Sequence, residues 1–297
     1  MKSFDFGEIP FRRGSFLFLS TNMVGLYRKK YDMKRKEVMK IQIKSVKIEN
    51  IEDLLQLCIP PERKDDLLFI EGMNAKREWA RRMLEKGELF AKIAYIDGRP
   101  VGLIQYTMKP DEKVMEIVCI FVPNEKDTRK GIGKALLNSL LEDAVSLFQR
   151  SGGDIPRALI TWAFEVPSRY PQNLFYERMG FKRIYEDNPY FLYYPIEEGF
   201  VYRPRMVGYT PQEEDKGRAL IFYDPSCPFC IYFSEKIKEM VKEVAPDIEI
   251  RMINQFEESE EVQKRGEVPF CVVNGVPIYS SFGDRKRFQE DVKKALG

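Results

Sequence analysis

Between an apolar run that ends at Val122 and an amphipathic stretch that begins at Gly131, the chain reads Arg129-Lys130-Gly131-Ile132-Gly133-Lys134. A strand that turns through two closely spaced glycines into a helix leaves the amides of the first helical turn unpaired at the positive end of the helix dipole. Glycine also lets the main chain approach an anion closely, so such a turn can hold a phosphate or pyrophosphate. The third glycine of a dinucleotide fingerprint and the Lys-Ser/Thr of a P-loop are both missing here. A tight strand-to-helix turn with no ligand is therefore the simplest alternative. The helix itself is predicted over 131–148, with Ile132, Leu136, Leu140, Ala144 and Leu147 on one stripe.

The hydrophobic period sets the surroundings of this turn. A strand is predicted over 41–48, then a helix capped by Asn50 with Leu54, Leu55 and Cys58 on its apolar face, then a second helix over 65–85. Strands follow over 89–96, 101–108 and 114–122, the first two joined by the hairpin signal Asp97-Gly98. After the long helix come a strand over 158–166, a short helix over 172–179 and a strand pair over 182–195. Antiparallel strands followed by a strand–loop–helix crossover indicate an α+β domain over 40–203. Residues 204–217, with Thr210-Pro211 and Glu213-Glu214-Asp215, read as a linker. Beyond it the order is strand (219–223), helix (228–244), strand (248–254), short helix (257–264), a strand pair about Asn274-Gly275, and a last helix: a second, α/β domain over 218–297. Residues 1–39 form a basic arm without a sustained period, and Met39 offers an alternative start.

Composition narrows the chemistry. With 297 residues, 44% of them apolar, the chain can bury two cores. Its net charge of +2 points to no charged partner, and nucleic acid is not expected as one. Histidine is absent, so acid–base work falls to carboxylates, Tyr, Cys, Lys or water, and no metal is expected. No apolar run reaches the length of a membrane span and no leader pattern is present, so a cytoplasmic location and no membrane contact are expected. Of the cysteines at 58, 119, 227, 230 and 271, only the 227/230 pair has informative spacing.

The stretch from Val118 to Leu137 resembles motif A of the GNAT acetyltransferases, in which an apolar strand leads through Arg/Gln-x-x-Gly-x-Gly/Ala into a helix. Gly131 and Gly133 match, while Thr128 stands where the family has Arg or Gln. Leu174-Phe175-Tyr176-Glu177-Arg178-Met179-Gly180-Phe181 is similar to the family's Tyr-Glu-x-x-Gly-Phe signature. The resemblance implies a GNAT fold over 40–203, acetyl-CoA as co-substrate and an amine acceptor, either a small molecule or a protein. It further implies that main-chain groups at Ile120 and Val122 pair with the acetyl carbonyl and pantetheine, where the sheet opens beside 161–164. Arg129, Lys130, Gly131, Ile132, Gly133 and Lys134 would cradle the pyrophosphate. Tyr176 would be the general acid for the leaving thiolate, with a packing role as the alternative. Glu116, set by period-2 alternation on the face of Val118 and Ile120, is the candidate base, and a surface ion pair is its alternative.

Cys227-Pro228-Phe229-Cys230 follows a predicted strand and opens a helix, which lowers the thiol pKa of Cys227 and lets Cys230 resolve a mixed disulfide. Half of a zinc site, or a binding-only module, would use the same residues differently. With Val268-Pro269 ahead of a strand, the arrangement resembles thioredoxins and glutaredoxins, where the pair sits against a cis-proline. A GNAT domain with this tail is similar to the YoaP-like acetyltransferases. The resemblance implies an N-acetyltransferase with an attached dithiol redox module. A thiol–disulfide oxidoreductase whose GNAT portion only binds CoA species is the alternative. Aromatics crowd the last strands at Tyr185, Tyr190, Phe191, Tyr193 and Tyr194; a packed strand pair, a homodimer face or an acceptor pocket would each account for them.

Overall fold

The computed structural model describes residues 40–59, 61–150, 152–163, 170–205, 208–280 and 282–297. The arm predicted over 1–39, the end of the strand predicted over 158–166 and residues 206 and 207 of the predicted linker fall outside them. The first sheet is built from β1 (Ile41–Ser45), β2 (Ala91–Ile96), β3 (Arg99–Lys109), β4 (Val114–Phe121), β5 (Ala158–Trp162), β6 (Lys182–Tyr185) and β7 (Asn188–Pro195). Its strand order is β1-β2-β3-β4-β5-β7-β6, and every pairing is antiparallel except β4 with β5. That one parallel pair needs a crossover, which α3 (Ile132–Arg150) supplies. The apolar stripe of α3, from Ile132 through Leu136 and Leu140 to Leu147, packs with Met115, Ile117, Ile120 and Leu159. The helices α1 (Ile51–Cys58) and α2 (Leu67–Lys86) join a separate cluster with Ile93, Tyr95 and Leu103. Alternate residues of β2 and β3 thus feed two cores, one on each face.

Local chemistry sets most element ends. Asp66 caps α2 by accepting from the Leu68 amide at 3.1 Å, and Gly87 closes it. Asn50 stands at the N-cap of α1, but its side chain turns back, accepting from the Lys47 amide at 2.7 Å and donating to the Ser45 carbonyl at 3.2 Å. A short 3-10 turn over Ile48–Asn50 ahead of the helix takes that side chain, so the predicted cap bond is not made.

The second sheet contains β8 (Arg218–Tyr223), β9 (Glu249–Asn254), β10 (Cys271–Val273) and β11 (Val276–Ile278) in the order β11-β10-β8-β9. Strands β8 and β9 are parallel and joined by α5 (Pro228–Val244), while β10 and β11 run antiparallel as a hairpin about Asn274-Gly275. Between β9 and β10 lies α6 (Ser259–Gln263), and α7 (Arg285–Leu296) packs Phe288, Val292 and Ala295 into the core of this sheet. Among the described residues every peptide bond is trans, Val268–Pro269 included, in contrast to the cis-proline that the thioredoxin resemblance implies.

Residues 40–297 form one compact unit, and two features explain why. The stretch predicted as a linker is tied to the second sheet: Tyr209 bridges Gly266, the Thr210 amide donates to the Arg265 carbonyl at 2.8 Å, and Arg265 Nη2 meets Asp215 Oδ1 at 2.6 Å with both side chains fully buried. A buried guanidinium requires such an anion, and here 50 residues of chain separate the two. The other feature is the packing of α2 against the start of α5. Phe69 meets Phe229 edge-on at 4.9 Å and stacks on Tyr232 at 5.0 Å, with the Arg63 guanidinium over Phe69 and Tyr232.

Gly72 is what permits this approach. A Cβ at Gly72 would lie 2.3 Å from the Pro228 carbonyl oxygen, a backbone atom that cannot swing aside. At an open helical position Gly→Ala gains about 1 kcal/mol. Here we expect Gly72→Ala to destabilise the protein by roughly 1–3 kcal/mol, as overpacking does. Urea unfolding checks the sign: a more stable variant would mean that the helices do not pack this closely.

Candidate active site

Strands β4 and β5 pair only from Val114 with Ala158 to Ile117 with Thr161, and beyond Ile117 they separate. A bulge contributes to this opening. The register with β3 runs Gln105–Cys119 and then Tyr106–Ile117, so Val118 has no partner of its own. A bulge bends and twists its strand locally, which turns β4 away from β5. At the apex of the opening the Thr161 hydroxyl donates to the Ile117 carbonyl at 3.0 Å. Along β4 the Ile120 carbonyl accepts from Gln172 Nε2 at 3.3 Å, at the start of α4 (Gln172–Arg178). Gln172 is thus the partner that one of the predicted pantetheine contacts holds here. Val122 lies just past the end of β4.

The glycine turn leads from this strand into α3. Gly131 has φ +82°, with nothing within 4 Å of where a Cβ would sit, and its carbonyl accepts from the Ala135 amide at 2.9 Å. Arg129 is also left-handed, at φ +61°. Ile132 is buried in the core, and Gly133 lies under the Phe175 ring, 3.2 Å from its own would-be Cβ. Arg129, Lys130 and Lys134 are exposed. Lys130 reaches Asp127 at 2.8 Å, and the Arg99 guanidinium grips the same carboxylate at 2.8 and 3.1 Å.

Sequence reading missed Asp127. Its i,i+3 spacing to Lys130 was legible, but Arg99 arrives from β3, 28 residues earlier. Hydrogen bonds from Arg99, with help from Lys130, hold the carboxyl at about 2. A depressed carboxylate pKa contributes stability that is complete above its unfolded value of about 4 and is lost as the pH falls further. We expect Asp127→Asn to remove this acid-sensitive part, so that wild type and variant converge in melting temperature between about pH 4 and pH 2. A constant gap across that range would assign Asp127 no such role.

Tyr176, on α4, is fully buried against Phe175 and Phe181. Burial pushes its phenol well above the ordinary tyrosine range, and a hydrogen bond with the Thr161 hydroxyl only partly opposes this. The phenol therefore shares Thr161 with the apex of the opening. Glu116 is placed otherwise than period-2 alternation implies. The bulge at Val118 puts Ile117 and Ile120 in the same core, which leaves Glu116 on the opposite face from Ile120. There Glu116 pairs with Lys109 Nζ at 2.8 Å. A single inserted residue reverses every side chain beyond it.

Cys227 is the N-cap of α5, and Pro228 fills the first helical position. Its thiol is pushed down by a hydrogen bond from Cys230, by the Lys76 ammonium and by the Phe229 amide, against its burial. The Cys230 thiol is pushed up, chiefly because it donates to that neighbour. Both are half-buried, since α5 begins against α2. Cys271 lies apart from the pair, buried within β10, and burial raises its thiol to about 12. Cys58 and Cys119, which carried no sequence signal, come within electrostatic reach of Cys227. Among the described residues no group of ligating side chains is arranged to hold a metal ion. No helix among them is long and apolar enough to cross a membrane.

Residues 48–181 match the model of the acetyltransferase (GNAT) family. No curated protein matches the chain. Among solved structures, the PaiA N-acetyltransferase of Thermoplasma acidophilum in complex with coenzyme A is 18% identical, with TM-score 0.39, covering 53% of this chain and 99% of its own. A GNAT acetyltransferase of Brucella melitensis in complex with acetyl-CoA is 15% identical, with TM-score 0.35, covering 54% of this chain and 90% of its own. Arabidopsis thaliana Naa50 with the bisubstrate analogue CoA-Ac-MVNAL is 18% identical, with TM-score 0.32, covering 52% of this chain and 97% of its own. The stretch that is similar to the GNAT family covers a little under half of the chain, runs from just ahead of α1 through α4, and contains the splayed strands, the glycine turn and the buried tyrosine.

Proposed function

We propose that this protein transfers an acetyl group from acetyl-CoA to a primary amine, and that the β4–β5 opening receives the thioester. The observation that carries this reading is the convergence of three features: strands that part beyond Ile117, a buried neutral phenol at their apex, and a glycine turn at the head of α3. The first-turn amides of α3 would face the pyrophosphate, with Arg129 and Lys134 beside them. As the amine nitrogen bonds to the acetyl carbon and the C–S bond breaks, Tyr176 would give its proton to the departing sulfur. The surplus proton of the amine leaves to water, and Tyr176 regains a proton from water, which restores the acid. The test is incubation of the protein with acetyl-CoA and a panel of amines and peptide N-termini, read as acetylated product by mass spectrometry. Absence of product from every amine, with acetyl-CoA still bound, would favour a CoA-binding role alone.

For the second sheet we propose a thioredoxin-like module over 218–297, with 208–217 packed as its extension and 40–203 as the acetyltransferase domain. The strand order β11-β10-β8-β9, with one parallel pair and a Cys-x-x-Cys at the start of the crossover helix, supports it. Its chemistry would be reduction of a small disulfide. The Cys227 thiolate attacks one sulfur and expels a thiolate; Cys230 then attacks Cys227 and expels the other half. The substrate gains two electrons, and the pair closes to a disulfide. Reduction of insulin or of glutathione disulfide tests this, and Cys227→Ser should abolish it.

A further inference from the structure

Lys76 is a buried lysine on α2, only 3% exposed, whose ammonium meets no carboxylate among the described ion pairs. Its Nζ donates to Cys58 Sγ at 3.2 Å and to Gln105 Oε1 at 2.9 Å, two uncharged partners. An ammonium taken out of water without an anion is costly, and such lysines ordinarily lose their proton. Lys76 is instead held up by neighbouring thiols, so a thiolate is the anion to look for. Cys58 is a poor candidate, because its own S–H is directed to the Leu54 carbonyl at 3.4 Å. Cys119 lies opposite Gln105 in the β3–β4 register, and burial raises its thiol to about 12.

Cys227 is the remaining thiol that the packing of α2 against α5 brings to Lys76. Lys76 follows Gly72 by one helical turn on the same face of α2, and Gly72 is the residue seated on the Pro228 carbonyl. Cys227, next to that carbonyl in sequence, stands at the N-cap position of α5, where Cys230 and the Phe229 amide both favour its thiolate. We infer that the buried ammonium of Lys76, carried by the acetyltransferase domain, is the counter-ion of the Cys227 thiolate, so that the reactive thiol is completed only by the packing of α2 against α5. This rests on the dithiol reading of the second sheet. Lys76 is a positioning residue in it, without contact to any substrate.

The groups that face this pair from every packed element fit the assignment. Burial alone would push Lys76 down, and of the three thiols that oppose this Cys227 is the one that is itself pushed down, while burial pushes Cys58 and Cys119 up. Around Cys227 stand Cys230 on α5, Asp224 in the preceding turn, Cys58 on α1, Cys119 on β4 and Lys76 on α2. Lys76 is the only cation among them, and the Asp224 carboxylate opposes the thiolate.

The experiment is the pH dependence of iodoacetamide alkylation at Cys227 in the reduced full-length chain, with peptide mapping to separate the five cysteines. In wild type, Cys227 should react first and with a midpoint below the free-thiol value of about 8.5. Lys76→Met should raise the midpoint by at least about one pH unit, a tenfold loss of rate below it, with the high-pH plateau kept. Lys76→Arg, which retains the charge, should restore the low midpoint, and Lys76→Gln replaces the Met variant should that one not fold. A folded Met or Gln variant with the wild-type midpoint overturns the inference. Insulin reduction is read separately: a shifted midpoint with no reduction in wild type keeps the Lys76 assignment and removes the redox role, whereas intact reduction with an unmoved midpoint does the reverse.

Discussion

Gly131→Asp is expected to abolish acetyl-CoA binding while leaving the protein folded. Gly131 occupies the left-handed region at φ +82°, and no atom lies within 4 Å of where its Cβ would stand. Aspartate tolerates that conformation better than most residues, so the backbone penalty is about 1 kcal/mol. The new carboxylate would be held by the amides at the head of α3, which favours the free protein. It would then occupy and repel the position of the pyrophosphate. Acetyl-CoA at a hundred times its Kd stabilises by about 2.7 kcal/mol, which raises the melting temperature of wild type by roughly 5 °C or more. The Asp variant should show no rise at all. Gly131→Ala carries a backbone penalty at least as large, without the charge, and should keep most of the rise. Equal stabilisation of the Asp variant would put the co-substrate elsewhere on the protein.

Tyr176→Phe is expected to lower kcat for acetyl transfer by about tenfold to a thousandfold with little change in KM for acetyl-CoA, because a positioned acid acts on the transition state. The phenyl ring fits the same apolar site between Phe175 and Phe181, so no cavity is created and the melting temperature should change little. Burial holds the phenol proton on to a pH well above the ordinary tyrosine range. The acid is therefore present through neutral and mildly alkaline pH, and no loss of rate below about pH 10 should trace to Tyr176. Unchanged kcat in the Phe variant would leave Tyr176 a packing residue.

Several features could be read from the chain because local physics decides them. The stripe from Ile132 to Leu147 dictates a helix with one buried face, and Gly131 marks its start through a backbone conformation that other residues pay to adopt. The hairpins at Asp97-Gly98 and Asn274-Gly275 follow in the same way from residues that accept positive φ. Pro228 after Cys227 specifies a helix start with Cys227 at the N-cap position.

What the sequence alone determined was thus the order of elements and the residues at the glycine turn and the cysteine pair, all set by interactions within a few residues. Tertiary structure decided the rest. The bulge at Val118 is one unpaired residue that only the β3 register exposes, and it moved Glu116 to the far face. Asp127, in the turn after β4, is gripped by Arg99 from β3, and Asp215 by Arg265 across 50 residues. Lys76 looks like any helical lysine until Gly72 brings α2 against Pro228 and leaves its ammonium buried beside thiols. Each of these depends on burial and on contacts between residues far apart in the chain. Periodicity and spacing carry no record of them, because a charge is costly or useful according to what surrounds it after the chain has packed.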